Sequence, residues 1–114
     1  MSLLLSQQLA SMRYLSPTLY EFGKQMRDRA NLVQANPTKV YPGLCLSGQL
    51  FSMRRIHNKL YEFGSETRNT LNKRAATGQK QPALNLGTQL QAMQEIDQRL
   101  FEYGYQLVTF LNAL

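Results

Sequence analysis

Three glutamates, Glu21, Glu62 and Glu102, recur at near-equal spacing, each between aromatic residues: Tyr20 and Phe22, Tyr61 and Phe63, Phe101 and Tyr103. If the fold gathered them in one layer, three carboxylates framed by rings could hold a metal ion or a cationic ligand. The metal version lacks nitrogen and sulfur donors. His57 is the only histidine and Cys45 the only cysteine, so one chain can build no intrachain disulfide, no zinc site of two or more cysteines and no di-iron Glu-x-x-His pairs. The plainer reading sets the glutamates beside an apolar stripe, solvated or paired with Lys24, Lys59 and Arg99, each three residues away.

A second group is basic. Residues 43–82 carry Arg54, Arg55, Lys59, Arg68, Lys73, Arg74 and Lys80 against Glu62 and Glu66, a balance of +5. Residues 1–42 have five basic against two acidic side chains (+3), and residues 83–114 have one against three (−2). Spread along one helix face, Arg54, Arg55, Lys59, Arg68, Lys73 and Arg74 could follow a phosphate backbone. No nucleic-acid motif accompanies them, and a solvated face is the preferred reading. Catalytic machinery is scarcer still. There is no Gly-rich phosphate loop, no nucleophile elbow and no second histidine or cysteine for a dyad, so the expectation is a protein that is not an enzyme and has no cofactor.

The elements that would position these groups announce themselves by repetition. "LYEFG" spans Leu19, Tyr20, Glu21, Phe22 and Gly23, returns as Leu60, Tyr61, Glu62, Phe63 and Gly64, and reappears as "LFEYG" in Leu100, Phe101, Glu102, Tyr103 and Gly104. The flanking residues align without a gap at offsets of 41 and 40, which divides a single domain of 114 residues into three repeats, 3–42, 43–82 and 83–114. Within the first, Leu5, Leu9, Met12, Leu15, Leu19, Phe22, Met26 and Val33 keep steps of three and four, the stripe of an amphipathic helix. The third follows suit from Leu86 to Leu114, while the second turns polar at Thr67 and Thr70.

Ser6, Ser47 and Gly87 stand before each stripe as candidate helix caps, Thr88 with Gln91 as an alternative capping box, and Leu46 with Phe51 as a hydrophobic staple. "ANPTKVYPG" and "ATGQKQP" close the first two helices. Three helices of about 29 residues would each be about 44 Å long, further than an 11-residue connection can return, which predicts an all-α, up-down-up three-helix bundle. Pro17 interrupts the first stripe, and Ser16 with Pro17 is also a good cap and first turn. The alternative architecture is therefore stacked helical hairpins. In the bundle the three glycines, each costing about 1 kcal/mol against alanine, make room at a mid-helix waist for a ring or a close crossing.

No run of about 18 apolar residues exists, so no helix is expected to span a membrane, and the near absence of cysteine with no evident signal peptide favours the cytoplasm. The expected function is non-catalytic interaction, in an adaptor, chaperone-like or assembly role, with a protein partner or in self-association as a dimer or more. Its contact surface would be aromatic and leucine-rich, with Tyr14, Tyr105, Val108 and Leu111 as interface candidates beside the repeated word. A nucleic-acid accessory protein using the basic residues and a small-ligand or metal sensor at the waist are the two alternatives.

Overall fold

The computed structural model describes residues 2–114, and these are all-α, with no strand among them. Six helices form: α1 (Ser6–Leu15), α2 (Pro17–Ala35), α3 (Ser47–Ile56), α4 (Asn58–Thr77), α5 (Gly87–Ile96) and α6 (Gln98–Ala113). The expectation of three long helices is corrected here. A continuous helix of about 29 residues would exceed the longest dimension of the fold, 36 Å, with a radius of gyration of 12.9 Å.

Each expected helix is broken by a single extended residue, Ser16, His57 or Asp97 (φ −166° to −167°). That residue ends one helix and begins the next. The Ser16 N–H donates to the Met12 carbonyl (3.0 Å) while its own carbonyl accepts from the Tyr20 N–H (3.1 Å), and His57 and Asp97 do the same with Met53 and Tyr61, Met93 and Phe101. Their side chains cap the new helix: Ser16 Oγ accepts from the Leu19 N–H, His57 Nδ1 from the Lys59 N–H, and Asp97 Oδ1 from those of Arg99 and Leu100. Pro17 then sits at the first position of α2, where its missing N–H costs nothing. The caps expected at Ser6, Ser47 and Gly87 are not made. Those residues open α1, α3 and α5, and the helix boundaries before them are Leu5, Leu46 and Leu86, with no side-chain hydrogen bond. Thr88 likewise lies inside α5. The staple is not made either, since Phe51 is 61% exposed.

The break lets each short helix fold back along its long one. A Cβ placed on Gly23 would lie 2.6 Å from Met12 Cε and 2.8 Å from Leu9 Cδ2, and Gly64 and Gly104 meet Met53 with Leu50 and Met93 with Leu90 in the same way. The glycines thus serve a close crossing, as the sequence implies, but within a hairpin. At the open end of the hairpins Asn31, Asn72 and Asn112 each clamp a backbone 28 residues earlier. The side-chain amide oxygen accepts from the N–H of Leu3, Leu44 or Leu84 (2.8 Å each), and the amide nitrogen donates to the same residue's carbonyl (2.9, 2.9 and 3.3 Å).

The three hairpins close on themselves. α1 packs against α6 as well as α2, α3 against α2 as well as α4, and α5 against α4 as well as α6. Arg74, a buried cation near the end of α4, donates to the carbonyl of Pro37 just beyond α2 and to the main-chain oxygen of Leu114 after α6 (3.2 Å each). The ends of all three long helices therefore gather at one end, so α2, α4 and α6 run parallel and the short helices fill the grooves between them. The return that an 11-residue connection could not make is made by α3 and α5. Compared with an open stack of hairpins, the difference is this closure.

Candidate functional site

The long helices carry the repeated word, and the structure uses each letter of it. Leu19, Leu60 and Leu100 are buried, and Phe22, Phe63 and Tyr103 point between pairs. Phe22 Cζ would lie 3.3 Å from a Cβ on Gly64, and Phe63 Cε1 3.3 Å from one on Gly104. The third contact is polar: the Tyr103 hydroxyl donates to the Gly23 carbonyl at 3.0 Å and closes the ring of three. Burial pushes the Tyr103 hydroxyl well above the usual tyrosine range.

The glutamates serve the boundaries between pairs. Gln8 Nε2 donates to Glu102 (3.1 Å), Gln49 to Glu21 (3.4 Å) and Gln89 to Glu62 (3.1 Å). Lys59 also meets Glu62 at 3.2 Å and Arg99 meets Glu102 at 3.0 Å. The Gln89 amide, then the Lys59 ammonium, holds Glu62 below its ordinary carboxylate range. Gln8, then Arg99, does so for Glu102. Among the described residues no three of His, Cys, Asp or Glu gather where they could hold a metal ion.

The six cations considered for a phosphate backbone are split between α3 and α4 and are differently employed. Arg74 is buried in the end of the fold, and Lys59 is paired with Glu62. Arg54 lies over the Tyr61 ring (5.5 Å) and Arg55 over the Phe51 ring (5.9 Å). Arg68 donates to the Cys45 carbonyl (2.7 Å) and to Asn69, which leaves only Lys73 as a plainly exposed cation in the second half of α4. Of the interface candidates, Tyr14 is 95% and Tyr105 57% exposed. Val108 and Leu111 are buried and so cannot serve as a contact surface, because α6 is covered on more than one side, by α5 and by α1.

What sequence reasoning missed lies between α1 and α2. A groove of about 680 Å³ is lined by Ser6, Leu9, Arg13, Tyr14, Tyr20 and Arg27. The Arg13 guanidinium sits 5.3 Å from the Tyr20 ring centre, and among the described residues it makes no hydrogen bond or ion pair. Arg27 donates to the Leu4 carbonyl (3.0 Å) and pairs with Asp28 (2.9 Å). No protein-family model matches the chain, and neither a curated protein nor a solved structure shows significant similarity to it. The internal comparison is the informative one. Between α3 and α4 the corresponding hollow is lined by Ser47, Leu50, Arg54, Tyr61 and Arg68, and shrinks to about 200 Å³ where Phe51 replaces Ala10. At the third pair the matching positions are Gly87, Gln94, Phe101 and Val108, without charge. The signal was available: Ser, Arg, Tyr and Arg at 6, 13, 20 and 27 return at 47, 54, 61 and 68. It is hard to notice because apolar residues dominate the alignment.

Proposed function

We propose that this chain is a non-catalytic interaction protein, built from one helical hairpin of about 40 residues used three times, which binds a protein partner or a second copy of itself through the outer surface of its short helices. The supporting observation is where folding leaves large apolar side chains in water. Leu4, Tyr14 and Leu15 at α1 and Phe51 and Ile56 on α3 are 40% to 95% exposed, although the core is closed without them. Exposed apolar side chains support a contact surface, and among the described residues five of the eight large ones lie at α1 or α3, the others being Leu32, Val40 and Tyr105. An adaptor, chaperone-like or assembly role fits apolar surface left outside a closed core.

Two measurements test this reading. Sedimentation equilibrium across micromolar concentrations distinguishes self-association from a species at the monomer mass of 13.1 kDa, which would leave a different protein as partner. A photo-crosslinking residue at Tyr14, introduced in cells that express the protein, is expected to capture one discrete chain that the same residue at exposed Thr109 does not. Equal capture from both positions, or from neither with a monomer in solution, would overturn the proposal.

A further inference from the structure

Which partner chemistry the surface suits is written in the α1–α2 groove. We infer that this groove receives an acidic segment of a protein partner, a carboxylate side chain held by Arg13 with an adjacent apolar or aromatic side chain against Leu9, Tyr14 and Tyr20. The inference rests on the interaction reading above and adds the ligand class to it. Three observations carry it. First, Arg13 has all its N–H donors uncommitted among the described residues and is braced by the Tyr20 face, the arrangement that preorganises a guanidinium for a carboxylate. Second, Arg27 lines the same groove as a fixed wall, its Nε and one terminal nitrogen on its neighbour Asp28 (3.0 and 2.9 Å) and the other on the Leu4 carbonyl (3.0 Å), which leaves Arg13 as the free donor there. Third, the serine, two arginines and tyrosine recur together in the second pair and vanish together in the third, where neither arginine position is charged. Arginines kept only to hold Leu4 or Cys45 would not account for Arg13 and Arg54, which make no such bond.

A nucleic acid is the less suitable occupant. A continuous phosphate chain needs a track of cations, and beyond the groove Arg74 is buried, Lys59 and Arg99 are paired, and the exposed Lys24, Arg54, Arg55 and Lys73 are spread over three helices. The open first groove, without a counterpart of Phe51, is the competent one, and the second is partly filled by its own ring.

The test is selection of random heptapeptides displayed on phage against the whole protein, with counter-selection against Arg13→Gln, whose side chain makes no bond that the fold needs. Enriched peptides are expected to contain Asp or Glu beside an aromatic or aliphatic residue. A synthetic copy should bind the parent protein about tenfold or more tightly than Arg13→Gln, the loss expected for a charge-assisted hydrogen bond, and should bind Arg99→Gln like the parent. Replacing the peptide's acid by its amide should cause a similar loss. Selected peptides without acidic enrichment, or equal binding to Arg13→Gln, would overturn the acidic-ligand inference while leaving an interaction surface standing. Failure to select any peptide would overturn the inference too, and joined with a lone monomer and no crosslink would remove the interaction reading. Salt-sensitive binding of mixed-sequence RNA or duplex DNA that Arg13→Gln abolishes would reassign the groove to phosphate.

Discussion

At the scale of single residues, the fold depends on atoms that are missing as much as on atoms present. The terminal atoms of Leu50 and Met53 occupy the space where a Cβ on Gly64 would sit, 2.7 Å from each, with Phe22 of the preceding pair at 3.3 Å. Gly64→Leu is expected to destabilise the protein by about 1–3 kcal/mol, since overpacking outweighs the gain of about 1 kcal/mol in helix propensity. Urea unfolding checks this through a lower midpoint at unchanged slope; a midpoint at or above the parent's would show that propensity dominates. Tyr103 supplies a pH-dependent counterpart. Unfolded tyrosine titrates near pH 10, whereas burial keeps the folded hydroxyl protonated above that. The folded chain therefore retains a proton that the unfolded chain releases, so this contribution is complete below pH about 10 and declines as pH rises further, by up to about 1.4 kcal/mol per unit. Tyr103→Phe should cost about 0.5–1.5 kcal/mol at neutral pH through the lost bond to the Gly23 carbonyl, and should flatten the alkaline decline. An identical decline in the variant would assign it elsewhere.

At the scale of elements, the hairpin is the unit, and its corner is a property of packing as well as of local signals. Three corners share one backbone shape, yet their residues are Ser16-Pro17, His57-Asn58 and Asp97-Gln98. Two of the three turn without proline. Removing Pro17 should therefore not fuse α1 to α2, because the fused helix would expose Leu9 and Met12, which are buried against Gly23. Pro17→Ala is expected to leave the radius of gyration from small-angle scattering and the helical circular dichroism close to the parent's. An elongated particle would show that proline, and not burial, makes the turn. The asparagine clamps at the other end act in the same sense, pinning the chain before each short helix by two hydrogen bonds apiece.

At the scale of the whole molecule, closure distinguishes this fold from a stack of hairpins that could be shortened at will. The Tyr103 to Gly23 and Gln8 to Glu102 bonds join residues 80 and 94 apart, so the first and third pairs are neighbours. Without the third pair, Phe63 would lose its contact at Gly104, and the first pair would lose the Tyr103 and Glu102 bonds that cover its other side. A fragment of residues 2–82 is expected to lack a cooperative thermal transition, whereas an open array would keep most of its stability after losing a terminal unit. Cooperative melting of that fragment would contradict closure as the source of stability.

The sequence by itself determined the helical class and much of the core. Leu9, Met12, Leu19, Phe22, Met26 and Val33 lie on the stripe and are buried. It also showed that the glycines mark a close approach. Only the tertiary structure decided where each helix stops. The stripe keeps its steps of three and four across Ser16, His57 and Asp97, so periodicity cannot tell a straight helix from one folded back at a single extended residue. The local cap that favours the corner is worth only about 1 kcal/mol. What settles it is burial of a short helix on a long one and in the groove of the next pair, an interaction between residues that periodicity along one helix does not relate. The same holds for the candidate site. Arg13, Tyr20 and Arg27 are spaced seven apart on paper, and they line one groove only because the chain reverses between Leu15 and Pro17.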